Sequence, residues 1–191
     1  PKKLENNSTS AYGHLKSCEK RLLKNNKEKA SLYSEQIDEL LKRNFAKKLT
    51  SLELKEYHGP VHYLPHHAIS KPTSVSTPLR IVFNSSVIFK GRRINDFWAK
   101  GPDILNSLIG VLMRFREDVV AIQGDISKMY NSIRLKPLEQ HTHRFLWRNI
   151  ETNRTPDHYC MTTVTFGDRP GGAIAVIAMR ETAEMKKDEY P

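Results

Sequence analysis

The chain has 191 residues, with 31 Lys and Arg against 21 Asp and Glu, and carries a formal charge of +10. Its 38 % hydrophobic content is enough for a buried core, which excludes a disordered or low-complexity chain. Two cysteines cannot build a disulfide framework, and no apolar run approaches the roughly 18 residues of a membrane span.

These features predict an intracellular protein, cytoplasmic or nuclear, with no membrane partner. The opening Pro1-Lys2-Lys3-Leu4-Glu5 does not read as a secretory signal, because no apolar segment follows it. In chain order, Leu15, Cys18, Leu22 and Leu23 recur at helical spacing. Leu32, Tyr33, Ile37, Leu40, Leu41 and Phe45 continue a 3.6-residue stripe. Thr50-Ser51-Leu52-Glu53 has capping-box spacing and predicts a third helix, ended by Gly59-Pro60. There the period changes. Residues 61–69 and 79–83 read as two strands joined by a Ser/Thr/Pro-rich connection.

After Gly101-Pro102-Asp103, the residues Ile104, Leu105, Leu108, Leu112 and Phe115 mark one face of a helix of about three turns. Residues 119–125 form a short apolar run ending in Asp125, which suits a buried central strand. Strands are predicted at 144–147 and 159–165, and a last helix at 172–187. The fold class is α+β with its helices at the front. Three regions follow: a helical segment at 1–60, a basic hairpin and helix at 61–116, and a more sheet-like piece at 117–191.

Charge follows the same division. Residues 1–60 carry 13 basic and 8 acidic groups, residues 61–116 carry 8 and 2, and residues 117–191 carry 10 and 11. A basic front on a near-neutral rear points to a polyanion, although solvated helix faces give the same counts. Asp125 is the most informative residue. A carboxylate at the mouth of a buried strand is held rigidly and half desolvated, as a Mg²⁺ ligand must be; it also suits the cap of a following turn. His58, His62, His66 and His67 keep a four-residue rhythm, but Gly59, Pro60 and Pro65 forbid the helix that would align them on a metal.

Several segments form an ordered series: Tyr63-Leu64-Pro65-His66-His67, Leu79-Arg80-Ile81-Val82-Phe83-Asn84, Asn95-Asp96, Gly101-Pro102, the Asp125 segment with Tyr130, Arg144-Phe145-Leu146-Trp147-Arg148, and Phe166-Gly167-Asp168. From about Leu15 to the last residue this series resembles the reverse transcriptase of Bel/Pao-class LTR retrotransposons.

The resemblance implies the fingers hairpin and part of the palm antiparallel sheet of a right-hand polymerase. Its partners would be an RNA or DNA template–primer and deoxynucleoside triphosphates, and its cofactor Mg²⁺. Asp125 would be the first catalytic aspartate and a metal ligand, with the Ile126 carbonyl beside it. Tyr130 would be the aromatic gate against a 2′-hydroxyl, and Phe166-Gly167 would lie beside the nucleotide. Arg80 would grip the triphosphate, assisted by Lys71; a guanidinium suits this because its fork holds two phosphate oxygens. Lys90, Arg92 and Arg93 would contact nucleic acid.

The sequence departs from the family at Asn84, where many relatives have Asp, and at Pro170-Gly171-Gly172-Ala173, where a Ser-Pro pair is commoner. The family's Tyr-x-Asp-Asp hairpin would follow Pro191, so these residues alone are expected not to polymerise. The rival expectation is a non-catalytic descendant of the module that keeps nucleic-acid or protein binding.

Overall fold

The computed structural model describes residues 4–25, 27–70 and 79–190. Two helices open the chain, α1 (Ser8–Asn25) and α2 (Lys27–Lys42). Most of the amphipathic stripe buries: Leu15, Cys18, Leu22, Tyr33 and Ile37 face the core and Leu32, Leu40 and Leu41 pack partly against it, whereas Leu23 is exposed, contrary to the expectation. The stripe's last member, Phe45, falls beyond the helix. Asn44 turns left-handed at φ 57°, its N–H reaches Leu41 O (2.9 Å), and the Phe45 N–H reaches Leu40 O (2.8 Å). This double closure satisfies orphan carbonyls and redirects the chain into a short strand, β1 (Ala46–Lys48).

Helix α3 (Ser51–Glu56) starts at the predicted capping box: the Glu53 N–H donates to Thr50 Oγ1 (3.1 Å), and the Thr50 N–H donates to the Glu53 carboxylate (2.8 Å). The basic hairpin consists of β2 (His66–Ser70) and β3 (Leu79–Phe83), antiparallel, with His66 opposite Phe83. The first strand is shorter than its apolar run because residues 62–64 pair elsewhere. Leu64 N–H donates to Arg144 O (2.7 Å) and Arg144 N–H to His62 O (3.0 Å). This lays 62–64 along the outer edge of β4 (Arg144–Trp147). On its other side β4 pairs antiparallel with β5 (Asp157–Met161), and β5 with β1, giving the order β1-β5-β4. The chain is thus α+β, with two small antiparallel sheets among the described residues.

Helices α1 and α2 cover these strands. Phe145 is fully buried at the centre, edge-on to Phe83 (5.1 Å between ring centroids) and stacked on Tyr159 (5.3 Å), while Tyr33 meets Trp147 (5.3 Å). Glu19 and Arg148, 129 positions apart, form a buried bidentate ion pair that joins α1 to the end of β4. The remaining helices are α4 (Leu108–Arg114), α5 (Pro137–Gln140) and α6 (Gly171–Lys186). No helix among the described residues is long and apolar enough to cross a membrane.

The strand expected at 159–165 is instead β5, Asp157–Met161, and residues 162–165 lie outside it. Two further expectations need correction. The helix predicted from Ile104 is confined to the seven residues of α4, where Ser107 makes no side-chain cap, and its apolar residues face solvent. The run 119–125 is not a buried strand. It has no regular structure, and Val119, Val120 and Ile122 are almost wholly exposed. A central strand needs hydrogen-bonding neighbours on both edges. Among the described residues no strand lies beside this run.

Candidate functional site

The turn that carries Phe166 and Gly167 follows buried Val164, whose N–H donates to Ile133 O (3.0 Å). Gly167 sits at φ 99°, a conformation that L side chains rarely adopt. Its place is set by neighbours: Asn95 Nδ2 donates to Gly167 O (2.9 Å), and Asn95 Oδ1 accepts from the Arg169 N–H (2.9 Å).

Asp168 ties this turn to the rest of the molecule. One carboxylate oxygen accepts from Ser85 Oγ (2.8 Å), just past β3. The other accepts from the Thr165 N–H (3.1 Å), Thr165 Oγ1 (2.7 Å) and His143 Nε2 (3.1 Å). The two side chains are only 5 % (His143) and 4 % (Asp168) exposed. Burial pushes the Asp168 carboxyl upward, but the hydrogen bonds from His143, Thr165 and Ser85 outweigh it and hold it below its ordinary value. Trp98 stacks on the His143 ring at 5.1 Å, nearly parallel. A cavity of about 620 Å³ opens beside this cluster, between Trp98, Leu138, Pro170 and Ile174.

Tyr130 belongs to a single 3-10 turn, Met129–Ser132, and packs on Phe166 with ring centroids 4.2 Å apart. A Cβ on Gly171 would lie 3.1 Å from the Tyr130 ring, so the start of α6 approaches that closely because it is glycine. The last strand residue of β3 lies at the same place, since a Cβ on Gly167 would meet Phe83 O at 3.5 Å. The fold therefore brings together Tyr130, Phe166, Gly167 and the end of the basic hairpin.

Other predicted site residues stand apart from this cluster. Arg80 is exposed in β3, opposite Ile69. Lys71 lies outside the described residues. Lys90, Arg92 and Arg93 are exposed around a two-residue turn, in which Lys90 (φ 47°) and Gly91 (φ 77°) are closed by reciprocal Phe89 and Arg92 backbone bonds of 2.8 and 3.1 Å. Positive φ at both central positions matches the right-handed twist of a tight hairpin.

Asp125 and Ile126 are exposed in the irregular segment, so the rigid, half-desolvated setting expected for Asp125 is not present. Among the described residues no three His, Cys, Asp or Glu side chains converge to hold a metal ion. Asp125 is a single carboxylate, and the residues here do not by themselves form a magnesium site.

What Asp168, His143, Ser85 and Asn95 do is not legible in the sequence. Asn95 and Asp168 stood in the ordered series, but nothing at the level of spacing joins a His at 143 to an Asp at 168. No protein-family model matches the chain, and no curated protein matches it. What the molecule does is therefore read from its own residues.

Proposed function

We propose that the chain is the fingers and partial palm of a retroelement reverse transcriptase, a surface that receives template–primer and a deoxynucleoside triphosphate. One observation carries this: Tyr130 packs on Phe166, and Gly167 lies against the end of β3. The resemblance assigns those residues to one nucleotide-contacting surface, and their proximity supports that assignment.

In this reading Tyr130 excludes a 2′-hydroxyl sterically, Arg80 binds the triphosphate through its fork of donors, and Lys90, Arg92 and Arg93 neutralise backbone phosphates. Asp125 and the Ile126 carbonyl would be one contribution to a Mg²⁺ site that needs anionic ligands from further elements. A second reading is a non-catalytic binding descendant of the same module. It is favoured by the exposed setting of Asp125.

Two measurements test the proposal. Affinity for a primer–template duplex is expected to fall steeply between low and physiological salt, as counterion release requires. Arg80→Ala should then weaken triphosphate binding more than duplex binding. Equal losses would reduce Arg80 to an ordinary surface contact. In a nucleotide titration, Tyr130→Ala should narrow the preference for deoxy- over ribonucleoside triphosphate. An unchanged ratio with binding retained would make Tyr130 a packing residue only.

A further inference from the structure

The run that ends in Asp125 leaves a stretch of backbone open to pairing. Every residue from 111 to 128 is exposed, and none of the backbone N–H and C=O groups of residues 118–127 bonds to another described residue. The residue types favour a strand. Val119, Val120, Ile122 and Ile126 are β-branched, and no proline interrupts them. An apolar run with unpaired backbone groups is a template for a strand from another chain.

Charge narrows the choice of that chain. The molecule carries +10, so two copies repel each other over most of their surface. Residues 114–128 are different, with three basic and three acidic groups that cancel. A neutral apolar stretch is a poor match for nucleic acid, and it is a place where two copies meet without repulsion.

Symmetry then selects a register. Two identical antiparallel strands are related by a two-fold axis, so one residue faces its own copy and its neighbours face each other in mirrored order. Centred on Ala121, the pairing sets Glu117 against Asp125, a like-charge clash. Centred on Ile122, it sets Val119 against Asp125 and Asp118 against Ile126. Centred on Gly124, it sets Lys128 against Val120. Centred on Gln123, it sets Val120 against Ile126 and Ile122 against Gly124, and it brings Asp118 to Lys128, each of these twice. We infer that residues 120–126 pair antiparallel with the same residues of a second copy of this chain, with Gln123 on the two-fold axis. Lys128 turns left-handed (φ 53°), so the strand ends at Ile126 and the lysine meets Asp118 of the other copy just beyond it. The contact is far smaller than the roughly 20–30 residues a side of a standard interface, so its dissociation constant is expected on the order of 100 µM. At a few micromolar the chain is a monomer.

The test is sedimentation equilibrium of the nuclease-treated chain in about 0.3 M salt, which suppresses bridging by nucleic acid, over about 5 to 500 µM protein. Monomer at the low end and dimer at the high end are expected. Val120→Pro, which removes a backbone donor, and Ile122→Lys should stay monomeric throughout. Both positions are exposed, so circular dichroism should be unchanged. Asp118→Lys should weaken the dimer roughly fivefold, and adding Lys128→Asp should restore it.

Crosslinking checks the register. Gln123→Cys should form an intermolecular disulfide under oxidised glutathione, because facing Cα atoms lie about 4.5–5.5 Å apart. Ala121→Cys should not, since at about 3.3 Å per residue it lies roughly 13 Å from its own copy. The native Cys18 and Cys160 are buried and give no background. A monomer at the highest concentration overturns the inference. So does a dimer indifferent to Val120→Pro and Ile122→Lys, or crosslinking at residue 121 as ready as at 123. The pairing stands apart from the proposed function, whose failure shows as duplex binding indifferent to salt and leaves the dimer untouched.

Discussion

Residues 144–161 and residues 104–126 are both rich in large apolar side chains, yet they end in opposite environments. In the first, Phe145, Leu146, Trp147, Tyr159 and Met161 are buried between the opening helices and the neighbouring strands. In the second, Leu105, Leu108, Ile109, Met113, Val120 and Ile122 face solvent. The difference is not composition. Strand β4 has hydrogen-bonding neighbours on both sides, residues 62–64 and β5, and a lid of helices above. The 119–125 run has no strand beside it among the described residues. An apolar pattern prepares a face for burial, and a second face from elsewhere in the chain has to complete it.

The comparison can be broken most severely at the ion pair that locks the buried region. Glu19→Ala leaves the Arg148 guanidinium buried and uncompensated, with an expected loss of about 3–5 kcal/mol. Urea unfolding should show a lower midpoint at unchanged slope. A loss under 1 kcal/mol would mean that α1 is not held to β4 in solution.

Acid should act on the same region. His66 Nε2 faces Leu146 O (2.9 Å), which can only accept, so Nδ1 accepts from the Tyr33 hydroxyl (2.5 Å) and the ring is neutral. Burial lowers its pKa from 6.5 to about 4. A group with a depressed folded pKa favours its deprotonated form in the native state. Its contribution is therefore complete above pH 6.5 and is lost as pH falls toward 4. For His66 this amounts to about 3 kcal/mol, and His62 titrates in the same window. Unfolding midpoints at pH 7, 5.5 and 4 should decline accordingly. The slope should flatten in His66→Gln, and a decline confined to pH below 4 would assign it to carboxylates instead.

The smallest effect is expected in the exposed region. Val120→Ser and Ile122→Ser should each change stability by under about 0.5 kcal/mol. A loss above 1 kcal/mol would show that this run packs against something in solution, and would erase the contrast with β4.

Much of the fold could be read in advance because it rests on local physics. The stripes of α1 and α2, the Thr50–Glu53 cap and α6 follow from patterns within a few positions of chain, and the β2–β3 hairpin pairs residues no more than 17 positions apart. The choice of the basic hairpin and Phe166-Gly167 as candidate contacts came instead from the resemblance, which rests on residue identity and order rather than on local physics. Strand β1 could not be read, since three residues carry no periodicity and its partner Met161 lies 115 positions from Ala46. The Asp168–His143–Ser85 cluster was hidden for the same reason, as was the Glu19–Arg148 pair. Their chemistry depends on burial, and burial is a property of the whole packed chain. The run ending in Asp125 shows the converse. Its sequence announced a buried strand, and the tertiary structure, which among the described residues places no strand edge beside it, left the carboxylate in solvent.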